Sequence, residues 1–197
     1  IFSLLRLDHN SIWKRTPINV DIVISVIYVI WIAFESKVSK KELSMGNQTS
    51  DFGTFEFYAM GQAGVVLSAL WFHSIWKSPG IIHFIGFLIF TAGILFRVWA
   101  VRTLGRYYSH IVRKVEGHQI ITSGPYRYLR HPAYTGMILA NTGITLFFLN
   151  PATLLIFLFA LIPSIILRIG IEEKTLYQIQ GYPGFAKSRK RVFPAIW

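Results

Sequence analysis

Five stretches of mostly apolar residues, 18–34, 57–76, 80–100, 134–149 and 152–167, recur along a chain of 197 residues. A helix needs ~20 such residues to cross about 30 Å of hydrocarbon, and stretches of 16 to 21 residues approach or meet that length. A soluble globule of this size has too little interior to hide them all. Charged types make up only 15% of the chain, against roughly 25% in an ordinary soluble domain, and the mean hydropathy is +0.46. Aromatic residues at 16% and the absence of cysteine exclude the disordered and disulfide-stapled classes. No stretch alternates polar and apolar residues as barrel strands do. The expected fold is an all-α integral membrane protein with five transmembrane helices. The last two stretches are separated only by Asn150 and Pro151, which predicts a tight antiparallel hairpin with Pro163 kinking its second arm.

Five crossings place the termini on opposite faces, and the basic residues test that count. Of the 20 Lys and Arg residues, only Arg6, Lys14, Arg15 and Lys77 fall on the face that carries the N-terminus, and the remaining sixteen fall on the other. Positive charge accumulates on the cytosolic side, so the N-terminus is expected outside and the C-terminus in the cytosol. The net charge of +11 then reads as attraction to anionic lipid headgroups rather than to nucleic acid. The chain begins with Ile1 rather than Met, so a few residues are expected to precede it, and nothing in residues 1–14 has the pattern of a signal peptide. Connection 101–130 and tail 172–197 are each too short to fold alone. They are expected to pack on each other and on the spans, so that a three-span region, 1–100, is followed by a region, 101–197, that carries the chemistry. Gly117 and residues 123–125 mark turns in the connection, and Gly181 with Pro183 ends a helix continuing from the fifth span.

The densest motif is Arg127-Tyr128-Leu129-Arg130-His131-Pro132-Ala133-Tyr134-Thr135-Gly136. Proline suits the first position of a helix, which puts His131 at the N-cap of the fourth span. Unpaired backbone N–H groups and the positive dipole end favour an anionic group there; the plainer alternative is that Arg127, Arg130 and His131 anchor the span in headgroups. Arg168, Glu172 and Glu173 form a second group at the end of the fifth span. Arg168 and Glu172 are four residues apart on one helix face, where a simple ion pair competes with a binding role suited to ionisable groups at the edge of a span. His110, His118 and His131 match no zinc spacing, and no metal site is expected. Arg97 is expected to snorkel to the interface, His73 and His83 to lie at the interface, Asp21 to be wetted, Trp13, Trp71, Trp76 and Trp99 to form aromatic belts, and Gly61 and Gly64 to allow close helix contact. No dinucleotide fingerprint, phosphate loop, zincin or nucleophile-elbow motif occurs.

From Tyr107 onward the chain resembles the isoprenylcysteine carboxyl methyltransferase family, with phospholipid methyltransferases as wider relatives. The resemblance is carried in order by His118-Gln119-Ile120-Ile121-Thr122-Ser123-Gly124-Pro125-Tyr126, Arg130-His131-Pro132-Ala133-Tyr134-Thr135-Gly136, Arg168 with Glu172-Glu173, and Lys190-Arg191-Val192. At five spans the chain looks like a short prokaryotic-type member. The resemblance implies methyl transfer from S-adenosylmethionine to a lipophilic acceptor, foremost the carboxylate of a prenylated cysteine, at a cytosolic region formed by the loop before the fourth helix and the C-terminal tail. It also implies that His118, Gln119, Ile120, Ile121, Tyr126, His131, Pro132, Ala133, Tyr134 and Glu172 line the cofactor pocket, and that Arg168 faces the acceptor. Arg113 stands near the place of a family glutamine and is carried over with that group. Three alternatives stay open: an amine or phospholipid acceptor, a nicotinamide-dependent reductase resembling the membrane sterol reductases, which share the Arg-His-Pro stretch, and a lipid-binding membrane protein without catalysis.

Overall fold

The structure is a computed structural model that describes residues 24, 26–28, 30–31, 53–72, 74–75, 80–108 and 120–193. Most of the first apolar stretch lies outside the described residues, as do Trp13, Asp21, His73, Trp76, Lys77, His110, Arg113, Gly117, His118 and Gln119. The chain divides into two compact units, Ile1–Val38 and Ser39–Trp197. In the first unit the described residues are helical. Ile24, Tyr28 and Trp31, spaced by four and three, are its buried face, and the rings of Tyr28 and Trp31 meet edge-on with centroids 5.2 Å apart.

The described part of the second unit is helical, apart from one isolated parallel bridge between Leu129 and Lys190. Its helices are α1 (Thr54–Trp71), α2 (Ile81–Leu104), α3 (Pro132–Phe147), α4 (Pro151–Leu176) and the short α5 (Tyr182–Lys187). Helices α2 and α4, with 24 and 26 residues, are long and apolar enough to cross a membrane; at 1.5 Å per residue they reach about 36 and 39 Å. The Asn150-Pro151 turn is as tight as expected. Asn150 caps α4 by accepting from the Thr153 N–H at 2.9 Å, and Pro151 occupies the first helical position, where its missing N–H costs nothing. Helix α4 then runs nine residues past the apolar stretch that ends at 167. Gly181 does not end it. The helix stops at Leu176, and Gly181, at φ 89°, instead opens α5 in the left-handed conformation that glycine adopts without strain.

The proline effect in α4 is a local change of winding. Pro163 cannot donate to the preceding turn and its ring collides with the carbonyl four residues back. The helix widens into a π turn at Phe157–Leu161 just before it. Gly61 of α1 packs against this turn so closely that an added Cβ would lie 3.1 Å from the Leu161 Cα, and one at Gly64 would lie 3.0 Å from Ile156. Small residues also seat α3 on α2. A Cβ at Gly136 would lie 2.6 Å from the Arg97 backbone nitrogen, and Gly86, Gly93 and Gly143 make similar approaches with the chains running antiparallel. In a membrane, where lipid tails are as apolar as leucine, such close backbone packing replaces the hydrophobic effect between helices.

The polar residues point inward. Asn141 of α3 donates to Gln62 of α1 at 3.1 Å, and the hydroxyls of Ser68 and Thr153 meet at 3.0 Å between α1 and α4. Large apolar side chains such as Leu67, Phe84, Leu95, Phe159 and Leu167 stand exposed on the outside. Trp71 and Trp99 are exposed near opposite ends of the bundle. The Ile75 N–H donates to the Leu149 carbonyl at 2.8 Å, which joins the α1–α2 connection to the α3–α4 turn at one end. Residues 120–131, before α3, and 177–193, after α4, therefore gather at the other.

Candidate functional site at the α3 N-terminus and the α4 C-terminus

At this second end the chain turns through a short 3-10 helix, Gly124–Arg127, and enters α3 with His131 as the N-cap and Pro132 as the first helical residue. The tail fixes the approach. Residues 189–192 run beside 127–131, with the N–H groups of Arg130 and His131 donating to the carbonyls of Lys190 at 2.8 Å and Arg191 at 2.9 Å. The Thr135 hydroxyl donates to the Val192 carbonyl at 2.6 Å, and the Arg130 and Arg189 guanidiniums each donate to a carbonyl on the opposite segment. Two segments too short to fold alone are thus ordered by each other.

Two adjacent carboxylates of α4 meet this structure differently. Glu173 is buried and accepts from Arg130 at 2.7 Å, from Arg191 at 2.9 Å and from His131 Nε2 at 3.3 Å. A carboxylate removed from water is tolerable when charge-assisted bonds occupy its lone pairs. The hydrogen bond to Glu173 also raises the Arg191 pKa. Glu172 is more open, its side chain 32% exposed against 5% for Glu173. It accepts from the Tyr134 hydroxyl at 2.9 Å and lies 3.9 Å from His131 Nδ1, which leaves acceptor capacity for a ligand. His131 thus stands between the two carboxylates.

Tyr126 and Ala133 pack with Ala100 in one apolar cluster that Val101, Leu104, Tyr108 and Ile121 extend. Burial, and after it the negative charge of Glu172, pushes the Tyr126 phenol well above its ordinary value near 10.0, so it stays a neutral donor. Ile120 turns the other way and packs with Tyr182, Phe185 and Ala186. Arg168 is 3% exposed; it donates to the Thr54 hydroxyl at 3.4 Å and lies over the rings of Phe55 and Tyr58 at 5.6 and 5.9 Å. It faces α1, one helical turn deeper than Glu172. The structure thus brings Ile121, Tyr126, His131, Pro132, Ala133, Tyr134 and Glu172 to one end of the bundle, with Arg168 below them and Ile120 beside them.

Arg97 corrects the expectation of snorkelling. It is buried, donating to the Ala133 carbonyl at 3.0 Å and to the Tyr108 hydroxyl at 3.1 Å. The signal was present in the spacing: Gly86, Phe90, Gly93, Arg97 and Ala100 form the buried stripe of α2, so position 97 faces α3. Glu173 was legible in the same way, because it continues the stripe of Ile165 and Ile169, both fully buried.

An inside-out helical bundle with its charged side chains gathered at one end is an integral membrane protein built around a polar site. Residues 84–178 match the model of the isoprenylcysteine carboxyl methyltransferase (ICMT) family. The match reaches back into α2, ahead of the motifs, and ends at residue 178, early in the 172–197 tail. Among curated proteins, the chain is 38% identical over 96 residues to the protein-S-isoprenylcysteine O-methyltransferase of Saccharomyces cerevisiae, covering 48% of this chain and 40% of the yeast protein. It is 32% identical over 124 residues to a probable protein-S-isoprenylcysteine O-methyltransferase of Oryza sativa subsp. indica, covering 61% of this chain and 65% of the rice protein. The aligned part of the chain therefore spans only 40 to 65% of these relatives. A solved structure of the eukaryotic intramembrane Ras methyltransferase ICMT superimposes with a TM-score of 0.52 at 24% identity, over 71% of this chain and 51% of that one. The fold is that of an ICMT-like integral membrane protein.

Proposed function

We propose that this chain is a membrane-embedded methyltransferase that uses S-adenosylmethionine to methylate the carboxylate of a prenylated cysteine. The observation that carries the reading is the arrangement around Glu172: an open carboxylate held by Tyr134 and His131 at the N-terminus of α3, with Arg168 buried one turn deeper in the same helix. The donor set fits the cofactor. Glu172 suits its amine or ribose hydroxyls, the α3 N-terminus suits its carboxylate, and the Tyr126 cluster suits its apolar parts. His131, Pro132, Ala133, Tyr134, Ile120, Ile121 and, outside the described residues, Arg113, His118 and Gln119 complete the binding group. When bound, the sulfonium supplies an electrophilic methyl group. The acceptor carboxylate is ionised at neutral pH and needs no base, so the task of the protein is to align the two and exclude water. Arg168 is the group for that alignment, because a guanidinium holds a carboxylate through two hydrogen bonds.

In the same reading the chain crosses the membrane five times, with the site and C-terminus cytosolic and the catalytic region in 101–197. The relatives named as isoprenylcysteine methyltransferases support the acceptor class. Binding of labelled S-adenosylmethionine in detergent tests the proposal. Glu172→Ala removes a charged acceptor from a polar ligand, a loss of about 1.5 to 3 kcal/mol, so affinity should fall at least about tenfold while the protein stays folded. Unchanged affinity would move the pocket elsewhere. Methylation of an amine or a phospholipid in place of a farnesylated cysteine analogue would overturn the acceptor assignment alone.

A further inference from the structure

Outside the site, the connection and the tail share a cationic surface. The only carboxylates between residues 120 and 193 are Glu172 and Glu173. Glu173 is taken by Arg130 and Arg191, and Glu172 faces Tyr134 and His131. Arg127, Lys187 and Lys190 are exposed, and none of them pairs with a carboxylate among the described residues. Arg127 lies over the exposed ring of Tyr128 at 5.8 Å. Arg189 is fixed beside them: its Nε donates to the Arg127 carbonyl at 3.1 Å, and its Nη1 to the Phe185 carbonyl at 3.2 Å and the Ser188 hydroxyl at 2.9 Å, over the Phe185 ring at 4.4 Å. Among the described residues its Nη2 donates to nothing. Gathering like charges on two short segments works against the fold through self-repulsion, which a bound anion relieves.

The depth of this surface selects the anion. Helix α4 rises about 33 Å from Pro151 to Glu173 at 1.5 Å per residue, slightly more than the ~30 Å of hydrocarbon. Arg130 and Arg191 tie both segments to Glu173, so the segments lie at the level of the headgroups. Of the residues that the motif offers as headgroup anchors, Arg130 and His131 are spent on Glu173, and Arg127 alone faces outward. An exposed tyrosine suits that layer, and a guanidinium takes a phosphate through paired hydrogen bonds. We propose that an anionic phospholipid binds with its headgroup across Arg127, Arg189 and the flanking Lys187 and Lys190, joining the connection to the tail.

The test is native mass spectrometry of the full chain in detergent, with dioleoylphosphatidylglycerol and dioleoylphosphatidylcholine as probes. Phosphatidylglycerol should be retained in preference to phosphatidylcholine, and should raise the temperature of thermal unfolding. The side chains of Arg127 and Lys190 make no hydrogen bond among the described residues, so Arg127→Gln with Lys190→Gln should unfold at the unaltered temperature when no lipid is added. Its affinity for phosphatidylglycerol should fall about tenfold or more. Arg102→Gln with Lys174→Gln, which removes two exposed cations outside the patch, should retain the lipid. Equal losses in the two variants overturn the site, because a diffuse attraction would then account for the binding. Unchanged affinity in the first variant, or equal affinity of the unaltered protein for the two lipids, overturns it as well. Displacement of the lipid by an equal concentration of inorganic phosphate overturns the choice of a lipid over a free anion. If the first variant does not fold, Lys187→Gln with Lys190→Gln carries the same expectation.

Discussion

His131 separates two neighbouring carboxylates of opposite use. Glu173 is spent on the fold: Arg130, Arg191 and His131 occupy its oxygens, and through them the tail is tied to the start of α3. Glu172 keeps one side open. The same separation of roles applies to Arg168, which sits deeper and faces α1. Lysine at that position keeps the charge but not the planar pair of donors. Arg168→Lys should therefore lose most methyl transfer to a farnesylated cysteine analogue while its affinity for S-adenosylmethionine stays within about twofold, a split that turnover and binding measured on one preparation will show. If instead Arg168 serves only as an ion-pair partner of Glu172, both quantities should fall mildly and together. At this scale the sequence was informative wherever a residue sat in a motif. It was silent on which of two adjacent glutamates would be buried until helical spacing was applied.

Between elements, glycine decides what can touch. Helices α2 and α3 lie so close that a methyl group at Gly136 would overlap the backbone at Arg97, the residue that holds the Ala133 carbonyl beside the site. Gly136→Ala should therefore destabilise the protein by about 1 to 3 kcal/mol. Gly170, on α4, has nothing among the described residues within 4 Å of an added Cβ, and Gly170→Ala should be neutral or gain about 0.5 to 1 kcal/mol from the better helix former. Thermal unfolding of the two variants in the same detergent checks the contrast, and equal effects would mean that the α2–α3 approach is looser than described. Apolar stretches located these helices well because length and hydropathy are local properties. Their partners were not legible. Helix α3 packs chiefly on α2 and α4 on α1, so the arms of the hairpin seek other neighbours than each other, a choice made by the small residues on each face.

For the whole molecule, the distribution of sixteen basic residues on one face and four on the other predicts a single orientation in the membrane. Because the chain lacks cysteine, single cysteines at Ser11 and Ser188 should be labelled from opposite sides of intact cells by an impermeant thiol reagent. Labelling of both from outside would end the five-span topology. Composition carried the membrane class. It carried nothing about winding, and there the π turn at Phe157–Leu161 has a consequence for the far end of the molecule. A π turn holds one residue more than an α turn, and each residue rotates a helix by about 100°. The turn is thus a phase shifter, dividing α4 into an upstream half timed to Gly64 and Ser68 and a downstream half timed to the site. Wind the same residues as a plain α-helix and, in an otherwise fixed frame, Leu167 would arrive where Arg168 stands, Ile171 in the open place of Glu172, and Glu172 between the guanidiniums of Arg130 and Arg191. Five residues of apolar helix, with no charge of their own, set the clock by which the carboxylates reach their partners.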